Sequence, residues 1–270
     1  IKISFINTMT TGLDRSQYKE RYSEDERYNA GVDDFENEYS LRHSKHGLYF
    51  ETIRIQKIFE VLNEERITFS GKRILDVGCN YGLYSLLFAY LKRDSNQITG
   101  IDFLENSIET AKRINGSIHF TQQDLYEPLN YPEKSFDFIL INYVLNCITE
   151  KREDVIKQLG SRVAVGGHIL FFDFFGDYTH NLIYYLEGLI QFKNPFSFSK
   201  NKINKKMEMS RHPSISIEEI KKVLPNFKII GYNKMNPVKQ KGLLIKKIIN
   251  KIYPKYQIAK YAVILVKRIS

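Results

Sequence analysis

Cysteine and long apolar stretches are scarce in this sequence, and each scarcity excludes a class of protein. The 270 residues include only Cys79 and Cys147, too few for a disulfide framework, so a reducing cytoplasm is the expected compartment. No run approaches the roughly 18 apolar residues of a transmembrane helix. The opening residues lack the apolar core and cleavage site of a signal peptide. Because the chain begins with Ile1 rather than Met, it is compatible with a piece of a longer protein.

Metal-binding spacings are also missing. The 6 histidines are scattered, and with the two cysteines they form no pattern of zinc ligands, so no metal site is expected. The hydrophobic fraction of 43% and the charged fraction of 26% are those of an ordinary globular protein. A chain of this length is therefore expected to form one large domain or a domain with appendages.

Acidic residues are rare in the last third of the chain. Residues 193–270 contain 19 lysines and arginines against 3 aspartates and glutamates, whereas the preceding residues contain 21 against 28. Two basic stretches, about 193–212 and 238–256, are predicted insertions, and residues 243–253 have the spacing of a basic amphipathic helix. This tail favours an anionic partner: a nucleic acid such as RNA, the inner face of a membrane bound peripherally, or a phosphorylated substrate. A lysine-rich solvated surface is the alternative interpretation.

Predicted strands and helices alternate from residue 71 onward. The apolar runs RILDV, QITGID and FDFILIN are flanked by turn residues and predict buried strands, while ENSIETAKRI has helical spacing. Strands that alternate with helices of this length form a parallel sheet with helices on both faces. The sequence therefore predicts an α/β, doubly wound, mostly parallel sheet over residues 66–270, preceded by a helical cap or lid segment over residues 1–65.

A glycine turn follows the first predicted strand in ILDVGCNYG, where Asp76 ends the strand and Gly78 and Gly82 bracket the turn. A dinucleotide fingerprint needs glycines at positions 78, 80 and 83, but the chain has Asn80 and Leu83, and we expect Leu83 to obstruct the close packing. A phosphate-binding P-loop is excluded because its GxxxxGK[ST] pattern is absent. Because asparagine tolerates left-handed backbone, Asn80 is predicted to adopt it or to turn its side chain to a ligand.

The remaining pattern, acid-x-Gly-x-x-x-Gly, resembles the first motif of the class I S-adenosylmethionine-dependent methyltransferases. Later motifs extend the resemblance over residues 71–174: the acid Asp102 at the end of QITGID, the strand FDFILINYVLN, and the pair Gly166 and Gly167 before the strand HILFFDF. The resemblance implies a Rossmann-like sheet of seven strands, with the seventh antiparallel beside the fifth. It also implies S-adenosylmethionine as methyl donor and S-adenosylhomocysteine as product.

The same resemblance implies roles for individual residues. Asp102, after the second strand, would bind both ribose hydroxyls, because a carboxylate accepts two hydrogen bonds at once. Phe103 would lie against the adenine, and Asp124 with its neighbour Leu125 would lie near the adenine amino group. The other residues of the implied cofactor site are Asp76, Gly78, Cys79, Asn80 and Gly82 in the turn, and Asn142 and Tyr143 near the methionine part.

Some of these residues also have simpler interpretations. Cys79 is best explained as a small buried residue, and Tyr81 is expected near the methionine part or the lid. Asp173 after the fifth strand and His180 beyond it are candidate catalytic bases. Asp173 has the alternatives of a metal ligand or a helix cap, and His180 of an ordinary core or surface histidine. A segment before the first strand often closes over the cofactor in such proteins, and the candidate lid residues are Tyr18, Arg21, Tyr22 and Arg42.

Absent motifs limit the methyl acceptor. Neither the Asn/Asp-Pro-Pro-Tyr of amide-nitrogen methylation nor the Pro-Cys of C5-cytosine methylation follows the fourth strand, which continues Asn142-Tyr143-Val144-Leu145. We therefore expect O-methylation of a small molecule, a sugar or glycan, or a lipid-linked acceptor. One alternative is an RNA, for example a tRNA, bound through the basic tail. Another is a catalytically inactive domain that keeps the fold and binds a partner.

Overall fold

The computed structural model describes residues 44–92, 97–148, 150–174, 215–235 and 261–270. Within these residues, a 7-stranded sheet has the order β3-β2-β1-β4-β5-β7-β6. The strands are β1 (Ile74–Val77), β2 (Ile98–Asp102), β3 (His119–Gln122), β4 (Phe136–Asn142), β5 (Val163–Phe174), β6 (Phe227–Met235) and β7 (Tyr261–Arg268). The predicted α/β, doubly wound, mostly parallel sheet is confirmed.

Helices cover both faces of this sheet. They are α1 (Ser44–Glu64), α2 (Leu83–Lys92), α3 (Glu105–Ile114), α4 (Arg152–Arg162) and α5 (Ile217–Val223), with a 3₁₀ turn at Leu145–Cys147. Helix α1 packs on β6 and β7, α2 on β2, and α3 on β2 and β3, whereas α4 packs on β5 and α5. Helix α5 begins with a serine cap: the Ser216 side chain accepts a hydrogen bond from the Glu219 N–H at 3.0 Å.

Alternate residues of the central strands belong to two buried clusters. In β4, Ile139 and Ile141 lie in the cluster beneath α4 and α5, whereas Phe138 and Leu140 lie in the cluster beneath α1, α2 and α3. This arrangement follows from the period of two in a strand with both faces covered. It fixes the strand register, because a slip by one residue would move each side chain to the wrong face.

The register brings the ends of three strands to one edge of the sheet. Val77, the last residue of β1, pairs with Ile101 of β2 on one side and Ile141 of β4 on the other, all in parallel. Gly78, Asp102 and Asn142 follow these residues and therefore begin at the same carboxyl edge. Ligands of open parallel sheets bind at this edge, so the fold itself places the predicted site.

The last strand runs against its neighbour. Strand β7 pairs with β5 in antiparallel register, with Asp173 opposite Ala262, and lies between β5 and β6. The prediction of an antiparallel seventh strand beside the fifth is confirmed. This pairing covers the full carboxyl half of β5, so the Asp173 position becomes an interior position of the sheet rather than a strand end in solvent.

The prediction for the glycine pair is wrong. Gly166 and Gly167 were expected to end the preceding helix and form the loop before the fifth strand, but α4 ends earlier and both glycines lie within β5. The register of β4 against β5 shifts between Phe136 and Phe138, which marks a bulge. Gly166 has φ +80°, and a Cβ on Gly167 would lie 2.9 Å from the Asp137 carbonyl oxygen. The bulge, and not a helix end, requires the two glycines.

Several predicted features lie outside the described residues. They are the candidate base His180, the lid residues Tyr18, Arg21, Tyr22 and Arg42, and the basic stretches 193–212 and 238–256 with the helix 243–253. The division into a lid over residues 1–65 and a domain over residues 66–270 stays a prediction. Within the described ranges, no helix has the length and apolar character needed to cross a bilayer.

The packing of Phe138 generates a stability prediction. The Phe138 ring is buried, with centroids 5.2 Å from Phe69 and 5.6 Å from Phe88. Because the surrounding strands cannot collapse into the space, we expect Phe138→Ala to lower the free energy of unfolding by about 3–5 kcal/mol in urea titrations. Tyr90→Ala, at an exposed position of α2, should change it by less than about 0.5 kcal/mol. Similar losses in the two variants would contradict the described core.

Candidate functional site

The turn after β1 adopts left-handed backbone at three positions. Gly78 has φ +69°, Asn80 has φ +49° and Gly82 has φ +82°, and α2 begins at the next residue. The prediction that Asn80 adopts left-handed backbone is confirmed. Asparagine is among the residue types that tolerate left-handed backbone best after glycine. Tyr81 is half-buried in the turn. Its position near the methionine part of the cofactor stays a prediction.

Both turn glycines also permit close packing. A Cβ on Gly78 would lie 2.2 Å from Cγ2 of Val144, and a Cβ on Gly82 would lie 2.7 Å from Cζ of Phe120. Either position therefore excludes a side chain for two reasons, conformation and space. Leu83, which was expected to obstruct packing in a dinucleotide-type turn, is instead exposed. The close approach of helix and strand occurs one residue earlier, at Gly82.

Asp102 ends β2 with its carboxylate held by backbone N–H groups. Its Oδ2 accepts a hydrogen bond from the Asn80 N–H and its Oδ1 accepts one from the Leu104 N–H, each at 3.0 Å. The residue is 8% exposed, and this burial raises the pKa of Asp102 while the backbone hydrogen bonds oppose the rise. The two bonds fix the carboxylate plane directly beside the glycine turn. Phe103, which follows, is half-buried.

Asp76 lies behind the turn rather than on its surface. It is buried, and its Oδ2 accepts a hydrogen bond from the Ser85 hydroxyl of α2 at 2.7 Å. Burial raises the pKa of Asp76 to about 6. Cys79 is buried as expected, and burial also raises the pKa of its thiol. The structure therefore gives Asp76 and Cys79 packing roles beneath the turn, and their predicted contact with the cofactor stays a prediction.

The end of β4 contributes a second polar group to the edge. Asn142 ends the strand, and Tyr143 follows with φ +61°. The side-chain oxygens of Asn142 and Asn80 are both buried and have no hydrogen-bond partner among the described residues. Buried polar atoms are nearly always paired in folded proteins. Ordered water or a ligand commonly pairs such atoms, and two of them lie at this edge.

The predicted residues after β3 lie at the margin of this edge. Asp124 is half-buried, and its Oδ1 accepts a hydrogen bond from the Tyr126 N–H at 3.0 Å, which closes the turn after the strand. Leu125 packs against the cluster beneath α4 and α5. Since β3 is the neighbour of β2 at the end of the sheet, these residues lie beyond Asp102, on the side where an adenine was expected.

Asp173 is an interior carboxylate. It is 1% exposed, and its Oδ2 accepts a hydrogen bond from the Asn146 N–H at 3.1 Å. In the amide orientation that turns the Asn146 nitrogen toward acceptors, this nitrogen donates to the Tyr143 carbonyl at 2.9 Å and to the other Asp173 oxygen at 3.3 Å. The carboxylate thus holds the 3₁₀ turn that follows β4. Its predicted action as a base stays a prediction, as does that of His180. Among the described residues, no group of three or more potential metal ligands is present.

Sequence reasoning missed Arg54 of α1. This arginine is only 9% exposed, and its Cζ lies 5.3, 5.4 and 5.6 Å from the ring centroids of Tyr84, Tyr143 and Phe172. No role was assigned to it from the sequence. The available signal was its spacing: Arg54 occupies the same helical stripe as the buried residues Ile58 and Val61.

Solved structures share this architecture. Magnesium protoporphyrin IX methyltransferase from Synechocystis PCC 6803, solved with bound S-adenosylhomocysteine, aligns over 84% of this chain and 87% of that chain, with a TM-score of 0.56 and 15% identity. At that identity the likeness shows the fold alone. Together with the glycine turn and Asp102, the fold defines the class of Rossmann-like, S-adenosylmethionine-dependent methyltransferases.

The family follows from the sequence match. A family model described as a methyltransferase domain matches residues 68–240, more than half of the chain, and the protein belongs to that family. It is 31% identical over 112 residues to a ubiquinone biosynthesis O-methyltransferase of Coxiella burnetii, covering 40% of this chain and 46% of the relative. It is 26% identical over 151 residues to a tRNA N(3)-cytidine methyltransferase of Gallus gallus, covering 52% of this chain and 40% of the relative. The matches thus span less than half the length of these relatives.

The described residues fit S-adenosylmethionine. The ligand carries hydrogen-bond donors on its amino group, ribose and adenine, and the edge offers the unpaired oxygens of Asn80 and Asn142 with the carboxylate of Asp102. Glycines at positions 78 and 82 let the backbone approach without a side chain. The turn also lacks the glycines at positions 80 and 83 that a dinucleotide fingerprint needs.

The raised pKa of Asp76 predicts a pH dependence of stability. The ordinary value is 3.8 and the folded value about 6, so protonated Asp76 stabilises the fold below about pH 4, and this contribution is lost as the pH rises through about 6. We expect the difference in free energy of unfolding between Asp76→Asn and the wild type to shift in favour of the variant as the pH rises from about 5 to about 7. The amide is neutral at both values, and its oxygen still accepts from Ser85.

Urea unfolding at both pH values measures this difference. Asp137→Asn is the matched control, because the Arg73 side chain lowers the pKa of Asp137, so that carboxyl is ionised at both values. Its effect relative to the wild type should be the same at the two pH values. A difference between Asp76→Asn and the wild type that does not change with pH would contradict the burial of an ionisable Asp76 beneath the turn.

Asp102 generates a binding prediction. We expect Asp102→Ala to weaken S-adenosylhomocysteine binding, measured by calorimetry, by at least about tenfold, because hydrogen bonds to a charged group contribute about 1.5–3 kcal/mol. Asp137→Ala provides a control acid at the opposite end of β4, where Asp137 pairs with Arg73 at 3.0 Å. It should leave the affinity unchanged. Unchanged affinity in Asp102→Ala would remove Asp102 from the donor site.

Proposed function

We propose that the protein transfers a methyl group from S-adenosylmethionine to an oxygen atom of a small molecule, a sugar or glycan, or a lipid-linked acceptor. The observation that carries the methyl-transfer part is the carboxyl edge, where two backbone N–H groups hold Asp102 and where the unpaired oxygens of Asn80 and Asn142 also lie. A domain that kept the fold only to bind a partner would have no need of this arrangement. The edge therefore argues against the inactive alternative.

The oxygen acceptor is supported by two further observations. The stretch of 31% identity belongs to a relative whose name specifies O-methylation in ubiquinone biosynthesis. The sequence after β4 is Asn142-Tyr143-Val144-Leu145 and lacks the proline residues of the amide-nitrogen methyltransferases. An apolar or lipid-linked acceptor also agrees with the basic amphipathic spacing of residues 243–253, which we propose to bind an anionic membrane surface from the cytoplasmic side.

The chemistry follows from holding two reactants in line. Bound S-adenosylmethionine supplies a methyl carbon on a positive sulfur; an acceptor lone pair forms the new O–C bond while the C–S pair returns to sulfur as S-adenosylhomocysteine. The chain's residues contribute position: the turn glycines allow close approach, and Asp102, Asn80 and Asn142 fix the orientation. The acceptor proton must leave to a base, for which Asp173 and His180 are the proposed candidates.

RNA is the second candidate acceptor. The match to a tRNA methyltransferase covers 52% of this chain, more than the quinone-pathway match does. The excess of lysine and arginine after residue 193 would neutralise phosphates. In the sequence, Phe192, Phe196 and Phe198 are interleaved with the lysines of residues 193–206, as stacking on bases would require. Against RNA, the sequence contains no recognised RNA-binding module.

Methyl-labelled S-adenosylmethionine discriminates the acceptors. The protein is incubated in parallel with total cellular RNA and with a lipid and glycolipid extract that contains quinone precursors. We expect label in the organic phase, none in RNA, and no label in either phase with Asp102→Ala. Label that enters RNA alone would overturn the O-methyl proposal in favour of RNA. Unlabelled products in both arms, with intact S-adenosylhomocysteine binding, would favour the inactive alternative.

A further inference from the structure

Arg54 connects α1 to the site through aromatic rings. Its guanidinium lies within 5.6 Å of the ring centroids of Tyr84, Tyr143 and Phe172, and it forms an ion pair with Glu51 one helical turn earlier. The Glu51 carboxylate in turn accepts a hydrogen bond from the Tyr84 hydroxyl at 3.4 Å. A guanidinium is always charged, and a buried one is retained only where its surroundings compensate its lost hydration.

The three rings come from the three segments that frame the donor site. Tyr84 belongs to α2, which begins directly after the glycine turn; Tyr143 follows the last residue of β4; Phe172 lies near the end of β5. The charge of Arg54 also reaches beneath the turn. Burial raises the pKa of Asp76, and the Arg54 charge opposes that rise. One side chain of α1 thus contacts α2, the residue after β4 and the end of β5.

Tyr143 is the strained member of this group. Its φ of +61° is unusual for a bulky side chain, and such backbone persists only where the surroundings impose it. The Tyr143 N–H donates to the Phe172 carbonyl at 2.8 Å, and its ring lies 5.7 Å from that of Phe172 and 5.4 Å from that of Tyr261. Arg54 covers the ring from the helix side. These contacts hold the chain in a conformation that it would otherwise leave.

The conformation of Tyr143 determines what reaches the donor site. The residue before it is Asn142, whose unpaired oxygen is buried at the edge, and the residue after it is Val144, whose methyl group fills the space at Gly78. If the Tyr143 backbone relaxed, both neighbours would move. Whatever stabilises the Tyr143 ring therefore also stabilises the shape of the donor site.

We propose that Arg54 is a positioning residue of the donor site: by covering the Tyr143 ring it holds the left-handed Tyr143 backbone and the Asn142 amide, so that methyl-donor binding and the docking of α1 are coupled. Coupling of this kind is reciprocal, because a ligand that prefers the docked state stabilises it by the same factor. The inference rests on the methyl-donor site and not on the identity of the acceptor.

The test combines two variants and two measurements. Arg54→Met keeps the length of the side chain and removes its charge, while Lys57→Met makes the same change at a neighbouring position of α1 that contacts Glu60 instead. Calorimetry measures S-adenosylhomocysteine affinity, and hydrogen exchange measures protection of the amides of residues 51–62 with and without this ligand. Circular dichroism verifies that each variant is folded.

Coupling between ligand binding and the packing of α1 predicts results that differ from those of a purely structural Arg54. In the wild type and Lys57→Met, the ligand should slow exchange in residues 51–62 at least about fivefold; Arg54→Met should bind at least about fivefold more weakly and lose this protection. Wild-type-like affinity and ligand-dependent protection in Arg54→Met would overturn the proposal while leaving the donor assignment intact. No binding by the wild type would contradict both. A purely structural Arg54 would lower thermal stability without changing the ligand-dependent protection.

A second variant keeps the proposal testable if Arg54→Met does not fold. Tyr143→Asn retains a residue type that tolerates left-handed backbone but removes the ring that Arg54 covers. We expect loss of ligand-dependent protection in α1 even at saturating ligand, because the ring that Arg54 covers is gone. A lower affinity alone would not support the proposal, since Tyr143 is also a predicted contact of the cofactor. Wild-type affinity in folded Tyr143→Asn would show that the ring does not carry the coupling and would overturn the proposal.

Discussion

The register of the three central parallel strands is the constraint on which the site depends. Val77 of β1 lies level with Ile101 and Ile141 of its neighbours, so the residues that follow all leave the sheet along one edge. The register is enforced by burial on both faces, since a shift of one residue would exchange the two hydrophobic clusters. The polar groups of the edge are therefore held in place by an apolar core that takes no part in the chemistry.

Two glycines without side chains determine the shape of the carboxyl edge. Side chains are absent at Gly78 and Gly82 because Val144 and Phe120 occupy the space, and the backbone there is left-handed. The acceptors at this edge include the Asp102 carboxylate and the amide oxygens of Asn80 and Asn142. An edge rich in unpaired acceptors fits a ligand that carries amino and hydroxyl donors, and this preference separates a methyl-donor site from a phosphate site on a closely similar sheet.

The sequence predicts the features that depend on local pattern. Alternating strands and helices, the antiparallel last strand and the left-handed Asn80 follow from residue types and their spacing, and the structure agrees. Features that depend on distant contacts were missed. Arg54 is buried because three rings from separate segments meet around it, Tyr143 is left-handed because Phe172 and Tyr261 hold it, and Gly166 and Gly167 serve a bulge against β4. No local propensity carries this information.

A crystal structure of the protein with S-adenosylhomocysteine tests the account most directly. We expect the ligand at the carboxyl edge, with its ribose hydroxyls within hydrogen-bond distance of the Asp102 carboxylate and with donors on the Asn80 and Asn142 oxygens. Ligand at any other part of the sheet, or at this edge with those two oxygens still unpaired, would contradict the assignment of the edge as the methyl-donor site.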